Sequence, residues 1–358
     1  MPDTPPPPAF HPYATLGPDT VLDALASVGL HGDGRLTALS SYENRVYQVR
    51  LEDGSLVVAK FYRPGRWTDA QIAEEHAFAA ELAAAEVPMV APLAIDGRTL
   101  HRHAGFAFSV SPNRGGRAPD LDDFETLEWT GRFIARLHTV GAARPFAARP
   151  ALDLQTFALE PRDWLQSHDF IPLDVRGDWD RACAVAIESI AASALGTCAA
   201  AVFDDENDPY ADGPPDGPLP MAAIRLHGDC HPGNILWTPA ELPGGGPHFV
   251  DLDDARSGPA VQDLWMLLSG DRGQRTRQLA ALVDGYEEVR RFDRRELALI
   301  EPLRTLRLIH YSAWLARRWD DPTFARNFPW FGSSDYWRGQ VRMLEEQTEA
   351  MAEEPLVV

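Results

Sequence analysis

The hydrophobic pattern of this 358-residue chain changes once, at a linker rich in proline and glycine over residues 111–120. Before the linker, short stretches of strand-forming residues alternate with turns, and after it apolar residues recur at helical spacing. A chain of this length also exceeds what one hydrophobic core usually supports. The sequence therefore predicts an α+β fold of two lobes, over residues 13–110 and 121–358, joined by a hinge at 111–120.

The smaller N-terminal lobe is predicted to hold an antiparallel sheet and one main helix, in the order three strands, helix, two strands. Asp53–Gly54 is a strong signal for a two-residue hairpin. Thr68 is a suitable N-cap for the main helix, and Pro88 ends its pattern. The predicted elements are a short helix over residues 19–28, strands over 36–39, 46–51 and 56–62, the main helix over 68–85, and strands over 90–95 and 105–110.

The larger C-terminal lobe is predicted to be mostly helical. Residues 203–220 are acidic and rich in proline and glycine, which predicts a surface loop. Residues 1–12 are proline-rich and are predicted to be flexible. The predicted helices cover residues 123–140, 162–168, 178–194, 259–268, 274–291, 294–319 and 334–353.

The composition, with 45% hydrophobic and 24% charged residues, is typical of a soluble globular protein. No stretch approaches the roughly 18 apolar residues that a membrane span needs. The N-terminus lacks the basic start of a secretory signal. The three cysteines form no C-x-x-C pair, which favours a reducing compartment, so we expect a cytoplasmic protein. We also expect a monomer.

The formal net charge of −20 argues against binding to nucleic acid or to an anionic membrane, because both attract cations. The same charge would suit a cationic substrate. A second interpretation is that the negative charge only keeps the protein soluble, and this interpretation needs no ligand.

The strongest chemical signal is the segment from His227 to Asn234, which lies between two apolar stretches. A carboxylate at Asp229 could orient an attacking hydroxyl and accept its proton. Five positions later, the amide oxygen of Asn234 could reach a metal that bridges nucleotide phosphates. The spacing is similar to that of the kinase catalytic loop, in which Asn follows His-Arg-Asp at the same distance.

Two other interpretations of this segment remain open. Asp, Gly, Pro and Asn are turn residues, so the segment could be an ordinary turn. Alternatively, His227, Cys230 and His231 could bind zinc, although no fourth ligand occurs nearby at a usual spacing.

A second acidic segment follows a turn and is predicted to form a strand that pairs with residues 235–237 and ends at Asp251. Kinases deliver a magnesium-binding carboxylate in this way. Asn234 and Asp251 would supply oxygen ligands, which Mg²⁺ prefers. Taken alone, residues 251–254 are better interpreted as solvated carboxylates at a strand end, but their position after the His227–Asn234 segment favours the metal site.

Lys60 lies in a strand-forming stretch and resembles the kinase lysine that holds nucleotide phosphates. It could instead be a lysine that extends from a half-buried strand to solvent. Its expected partner is a glutamate on the next helix, which offers Glu74 and Glu75. Helical spacing places Glu75 on the face of Phe78 and Leu82, predicted to point to the interior of the lobe, so we favour Glu75.

Three further positions are candidates around the nucleotide. Residues 39–45 occupy the place of a phosphate-covering loop but contain no glycine, and Ser41 is the candidate contact there. Val110 lies at the predicted hinge beside the nucleotide. Asp263 follows Gly258-Pro259 near the start of a predicted helix, where it could accept hydrogen bonds from the His227–Asn234 backbone or cap the helix.

Taken together, these residues resemble the aminoglycoside phosphotransferase/choline kinase branch of the protein-kinase-like fold, and within it the bacterial stress response kinases. The resemblance covers about residues 13–355. The segments that carry it lie at 41–48, 60–64, 66–68, 74–76, 226–231, 250–256 and 327–330.

The resemblance implies a two-lobed kinase that phosphorylates serine and threonine on proteins and on itself with ATP and Mg²⁺, and that protects against stress-induced cell death. It implies that Asp229 accepts the proton, Asn234 and Asp251 hold Mg²⁺, Ser41 lies at the ATP site and Lys60 reaches the phosphates. The insertions at 203–220 and 238–247 leave the choice of substrate open.

Two alternative functions remain. A small-molecule kinase for an aminoglycoside or choline would use the same residues, and the chain has no obvious activation segment between Asp254 and Pro259. The second alternative is a nucleotide-binding scaffold without turnover. The presence of Asp229 together with Asn234, Asp251 and Lys60 argues against it. Gly228 stands where many protein kinases have arginine, so we expect no switch based on a phosphorylated activation loop.

Overall fold

An antiparallel five-stranded sheet forms the N-terminal lobe, with the strand order β1-β2-β3-β5-β4. The computed structural model describes residues 12–197, 199–200, 221–239, 241–242 and 244–358. The predictions for residues 1–11 and 203–220 therefore lie outside the described residues. The strands of this sheet are β1 Gly32–Ala38, β2 Arg45–Leu51, β3 Leu56–Phe61, β4 His101–His103 and β5 Phe106–Pro112.

The predicted order of three strands, one helix and two strands is confirmed, but the predicted strand over residues 90–95 is wrong. That segment connects the main helix to the sheet, and Pro92 within it has no amide hydrogen to donate to a strand partner. The fourth strand is instead β4, which pairs with β5. β5 continues to Pro112, so the first two residues of the predicted linker belong to the sheet.

The two faces of the sheet have different partners because side chains alternate along each strand. Val49, Ala59 and Phe61 are fully buried in a core that the sheet shares with helix α1, Pro18–Ala26. The opposite face carries Gln48 and Lys60, which lie on the wall of the cavity between the lobes. Alternation thus fixes which residues of β2 and β3 reach that cavity.

The main helix, α2 Asp69–Ala84, begins with Thr68 as its N-cap, as predicted, in a reciprocal pair of hydrogen bonds with Gln71. Its apolar face does not pack into its own lobe. Phe78 and Leu82 belong to the large hydrophobic core of the C-terminal lobe, and the ring centroid of Phe78 lies 5.4 Å from that of Phe146. The prediction that this face points to the interior of the N-terminal lobe is wrong, because α2 bridges the two lobes.

The C-terminal lobe is mostly helical, as predicted. The predicted helix over 259–268 shortens to one turn, and the helix predicted over 294–319 begins with the 3₁₀ turn Arg294–Leu299. The helices are α3 Phe124–Ala142, α4 Glu160–Ser167, α5 Leu173–Ala192, α6 Gln262–Trp265, α7 Arg272–Glu287, α8 Ile300–Ala316, α9 Pro322–Asn327 and α10 Ser334–Ala352; a π-helical turn at Gln155–Leu159 precedes α4, and a 3₁₀ turn at Ala194–Thr197 follows α5.

Short strands in this lobe frame the His227–Asn234 segment. β7 Ala222–Leu226 leads into it and pairs with β6 Ala199–Ala200 and β10 Arg256–Gly258. The predicted pairing after the segment is confirmed, since β8 Ile235–Thr238 is antiparallel to β9 Gly246–Phe249. Asp251 follows β9 and precedes the 3₁₀ turn Leu252–Asp254.

Gly228 has a structural reason to be glycine. Its φ of +83° is in the left-handed region, and a Cβ atom there would lie 2.2 Å from the carbonyl oxygen of Asp254. The close approach brings the two acidic segments together. Within the part of the chain that is described, no helix has the length and apolar character needed to cross a membrane.

Candidate active site

A cavity of about 850 Å³ lies between the lobes and contains most of the predicted site residues. Its roof is the face of the N-terminal sheet that carries Gln48 and Lys60, with residues 39–44, and its floor is formed by the His227–Asn234 loop and residues 250–254. One side wall is a face of α8. Ser41, Lys60, Glu75, Asp229, Asn234 and Asp251 all lie on the cavity wall.

Asp229 is held by three neighbours at the floor of the cavity. Its Oδ1 accepts a hydrogen bond of 2.7 Å from Nη1 of Arg307, on α8. Nδ2 of Asn234 donates to the Asp229 carbonyl oxygen at 2.9 Å and lies 3.5 Å from Oδ2. His231 Nε2 is also 3.5 Å from Oδ2. The carboxylate is therefore oriented before any substrate binds.

The backbone of this loop is fixed from below by Asp263, which is fully buried. Its two carboxylate oxygens accept hydrogen bonds of 2.8 Å from the amides of His227 and Gly228. His138 Nε2 lies 3.0 Å from Oδ2 of Asp263, and its other ring nitrogen contacts the hydroxyl of Tyr286. Of the two interpretations of Asp263, the structure shows the contact with the loop backbone rather than a helix cap.

Lys60 lies among three carboxylates. Its Nζ is 2.7 Å from Asp251 Oδ1, 3.2 Å from Asp253 Oδ1 and 3.8 Å from Glu75 Oε1. Burial opposes the charged ammonium, but these carboxylates outweigh it and hold the pKa of Lys60 well above its usual value. Glu74 takes no part, because it accepts hydrogen bonds from the backbone amides of residues 147–149.

Buried arginines hold the segment that follows Asp251. Arg66 pairs with Asp253 and, at 2.7 Å, with Asp254. Arg149 donates to the carbonyl oxygens of Asp253 and, at 2.6 Å, Ala255. Burial works against charge on Asp254, but its arginine partners lower the pKa of this carboxyl group. Asp253 and Asp254 are thus held in ion pairs rather than extended into solvent at a strand end, although the Asp254 side chain is 33% exposed.

Asn234 and Asp251 suit a hard divalent cation. The amide nitrogen of Asn234 is directed at Asp229, which leaves its Oδ1 as an acceptor on the cavity wall. Asp251 has a left-handed backbone, with φ of 63°, and its side chain is half exposed. An amide oxygen and a partly solvated carboxylate are the ligands that Mg²⁺ accepts when phosphates and water complete its shell.

The zinc interpretation has no support from the geometry. Cys230 is fully buried, and burial raises the pKa of its thiol well above the usual value. Nε2 of His227 is engaged with the carbonyl oxygen of Val250 at 2.9 Å. Among the residues that the structure describes, no group of three or more His, Cys, Asp or Glu side chains could hold a metal ion.

The loop over residues 39–45 covers the cavity and is tied to the C-terminal lobe. The Ser41 hydroxyl donates to the carbonyl oxygen of Asn44 at 3.0 Å. Ion pairs cross to the region of α8 and α9, and we call Glu43, Arg45, Arg63, Arg318 and Asp321 the interlobe cluster. Its distances are 2.7 Å for Arg63–Glu43, 2.5 Å for Arg318–Glu43, 3.1 Å for Arg45–Asp321 and 2.7 Å for Arg63–Asp321.

Val110 does not reach the cavity, so its selection as a nucleotide contact is corrected. The side chain is fully buried in the core of the N-terminal lobe, and its carbonyl oxygen accepts a hydrogen bond of 2.7 Å from Leu93. Its neighbours Ser109 and Ser111 line the cavity instead. The alternation along β5 accounts for this exchange.

Sequence reasoning missed Arg307, Arg149 and the interlobe cluster. Arg307 lies 78 positions from the carboxylate that it contacts, and Arg45 lies 276 positions from Asp321. No local pattern marks such pairs. Side chains alternate between the two faces of β5, and this alternation could have identified Ser109 and Ser111, rather than Val110, as the residues that face the cavity.

Comparison with known proteins agrees with this geometry. Residues 35–300 match the family described as the phosphotransferase enzyme family, APH. The chain belongs to this family, and it is an enzyme that transfers a phosphoryl group to an alcohol. Stress response kinase A of Escherichia coli K12 is 44% identical to it, and serine/threonine protein kinase RdoA of Salmonella typhimurium is 45% identical, each over 96% of both chains.

Solved structures share the fold at low sequence identity. An amicoumacin kinase in complex with AMP-PNP and Ca²⁺ superposes with a TM-score of 0.66 and 16% identity, covering 95% of this chain and 94% of that one. A microcompartment-associated aminopropanol kinase gives a TM-score of 0.64 and 18% identity, covering 93% and 99% of the two chains. The predicted two-lobed protein-kinase-like fold is thus confirmed.

Proposed function

We propose that this protein is an ATP- and Mg²⁺-dependent serine/threonine protein kinase that also phosphorylates itself and acts in the stress response. The observation that carries the proposal is the position of Asp229, Asn234, Asp251 and Lys60 on the wall of one cavity. These side chains supply a proton acceptor, metal ligands and a phosphate-binding cation, which are the parts that phosphoryl transfer requires.

The nucleotide would lie under the N-terminal sheet, beside Ser41 and the serines of β5. Lys60 would exchange its contact with Asp251 for the phosphates, with Glu75 keeping it in place. A divalent cation held by Asn234 and Asp251 would neutralise charge on the phosphates. Asp229 would orient the acceptor hydroxyl and take its proton as the new oxygen–phosphorus bond forms. The bond between the γ-phosphorus and the β–γ bridging oxygen would break in the same transfer, and ADP would leave.

The names of the curated relatives favour a protein acceptor and a role in stress, since they read stress response kinase A and serine/threonine protein kinase RdoA. The amicoumacin kinase was solved with AMP-PNP and Ca²⁺, a nucleotide and a divalent cation, in a protein of the same fold. Because that protein is only 16% identical to this chain, the similarity extends to the fold alone.

A small-molecule kinase is the second candidate, since the structural neighbours include kinases for amicoumacin and aminopropanol. Only Ala255 separates the 3₁₀ turn Leu252–Asp254 from the short strand β10, which ends at Gly258. This leaves no long activation segment on which an extended peptide could lie. The distinction between the two candidates therefore depends on the acceptor side of the cavity.

The finer organisation is part of the same proposal. We assign residues 13–112 to the nucleotide-binding lobe, 113–120 to the hinge and 121–358 to the catalytic and substrate lobe. The boundary predicted after residue 110 moves by two positions because β5 continues to Pro112. A cytoplasmic monomer that binds neither nucleic acid nor membranes is proposed, supported by the charge of −20 and by Cys183 and Cys230, which are free and buried.

The test is a panel of acceptors with γ-labelled ATP and Mg²⁺. It should include unstructured proteins, serine peptides, the enzyme itself, an aminoglycoside and choline. We expect label on serine or threonine of protein substrates and of the enzyme. Label on the small alcohols with none on any protein would contradict the proposal.

A further inference from the structure

One face of α8 forms the side wall of the cavity next to Asp229. Leu303, Arg307, His310, Tyr311 and Trp314 recur at helical spacing and all line the cavity. Because Arg307 contacts the Asp229 carboxylate directly, this face lies where an acceptor must pass to bring its hydroxyl to the same carboxylate. It is therefore the acceptor side of the cavity.

Arg307 has hydrogen-bonding capacity to spare. Its side chain is 42% exposed, and among the described residues it makes one hydrogen bond, to Oδ1 of Asp229. A guanidinium has five N–H donors in a planar fork that matches a carboxylate or phosphate. The remaining donors are thus free to bind an anion at the cavity wall.

The carboxylates on the cavity wall are all paired with arginine or lysine in the described part of the chain. Arg63, Arg66 and Arg318 surround Glu43, which also accepts a hydrogen bond from Trp314 Nε1 at 2.6 Å. The other carboxylates pair with Lys60, Arg66, Arg149, Arg256 or Arg307. A cationic acceptor would therefore meet no unpaired carboxylate and would be repelled by Arg307.

The aromatic residues of this wall offer little to a cation. The Trp314 ring is stacked with Tyr311, with ring centroids 5.6 Å apart, and the Arg318 guanidinium lies 5.3 Å from its centroid. Its faces are thus engaged inside the protein. The negative charge of the whole chain is not reproduced at the acceptor side.

We propose that this face of α8 is an acceptor subsite that selects an acidic segment of a protein substrate, in which a carboxylate beside the acceptor serine or threonine binds Arg307. The inference rests on the proposed function. Arg307 and the acceptor hydroxyl share one carboxylate, so the anion that Arg307 binds must lie within a few ångströms of the hydroxyl. Neighbouring Cα atoms are ~3.8 Å apart, so the residues directly before and after the acceptor can place it there.

The experiment uses serine peptides that differ only at the two positions flanking the serine, with Glu, Gln or Lys there. Rates are measured with the wild type, with Arg307→Gln and with Arg307→Lys. Arg326→Gln is the matched control, because it removes an exposed arginine near the end of α9, two positions before Phe328 on the cavity wall. ATP binding by each variant shows that its nucleotide site is intact.

We expect the wild type and Arg326→Gln to prefer the Glu peptide over the Gln peptide by about tenfold in kcat/KM, and over the Lys peptide by more. Arg307→Gln should bring the Glu-to-Gln ratio near one, and Arg307→Lys should keep part of it, because lysine retains the charge without the fork. An equal loss for all peptides in Arg307→Gln would overturn the inference. Equal rates of the wild type on the Glu, Gln and Lys peptides would also overturn the inference, but would leave the proposed function intact. Transfer to small alcohols alone would overturn both the inference and the proposed function.

Discussion

At the scale of single residues, Lys60 shows how the site is prepared for a nucleotide. Three carboxylates surround one ammonium at 2.7–3.8 Å, and only Asp251 among them is half exposed. The buried pair of Asp253 and Glu75 has partners in Arg66 and Arg149 as well. Asp251 is therefore the carboxylate that can leave Lys60 for a cation while the others remain paired.

Substitution of Asp251 should weaken binding of the metal–nucleotide complex more than binding of the nucleotide. Asp251→Asn keeps the shape and tolerates the left-handed backbone but loses the charge. We expect affinity for Mg²⁺-ATP to fall by about tenfold or more, on the order of 1.4 kcal/mol, with little change for ATP in the presence of a chelator. Calorimetry with and without Mg²⁺ measures both. The control Asp335→Asn, at an exposed position on α10, should change neither affinity. An equal loss in both conditions would count against a metal ligand.

At the scale of elements, the loop over residues 39–45 belongs to the N-terminal lobe but is fixed by α8 and α9. Asp321 is almost fully buried and pairs with both Arg45 and Arg63, while Glu43 joins Arg318. A glycine-rich loop would cover phosphates through its flexibility and close approach. This loop instead takes its position from ion pairs across the cleft.

Asp321→Asn should therefore weaken the attachment of the loop over residues 39–45 to the C-terminal lobe and destabilise the protein. Removal of one partner from a buried ion-pair network costs about 3–5 kcal/mol, which urea unfolding at pH 7 can measure. Although burial opposes it, hydrogen bonding to Thr323 and Arg63 lowers the pKa of Asp321. The stability that the ionised Asp321 contributes is therefore present above the pKa of ~3.9 in the unfolded chain. It is lost as pH falls through the pKa of Asp321 in the folded protein.

Asp320→Asn is the matched control for this prediction, since Asp320 is exposed and adjacent. Hydrogen exchange of residues 40–45 should accelerate in Asp321→Asn alone. Equal stability and equal exchange in the two variants would show that the interlobe cluster does not fix the loop.

At the scale of the whole molecule, local patterns predicted the fold and much of the site, because their physics is local. Thr68 caps α2 as predicted. A hairpin turn at Asp53–Gly54 joins β2 and β3, but four residues separate the strands, so the predicted two-residue turn is wrong in length. The spacing of Asp229 and Asn234 placed both in one loop. Contacts such as Arg307 with Asp229 could not be predicted, since they depend on how α8 packs on the lobe rather than on neighbouring residues.

The stability of the molecule should also depend on Glu296, which is buried and accepts a hydrogen bond of 2.8 Å from the Val261 amide at the start of α6. Burial raises the pKa of Glu296 to about 8. The folded state therefore holds a proton that the unfolded chain releases near pH ~4.3, and stability is lost as pH rises from there through the folded pKa.

Glu296→Gln keeps an acceptor for Val261 without titrating, so its stability should fall less between pH 6 and pH 8 than that of the wild type. The difference in slope should approach about 1.4 kcal/mol per pH unit. Urea unfolding across this range measures it. Exposed Glu345→Gln on α10 should behave as the wild type, and parallel curves for Glu296→Gln and the wild type would contradict the prediction.

The central claim is that Asp229 receives the proton of a serine or threonine hydroxyl in a cavity that binds Mg²⁺-ATP. The most direct measurement is the transfer of γ-phosphate from ATP to serine and threonine by the wild type and by Asp229→Ala, with ATP affinity measured on the same samples. We predict that Asp229→Ala abolishes transfer and leaves affinity for Mg²⁺-ATP largely unchanged. Transfer by Asp229→Ala at the wild-type rate would contradict the account.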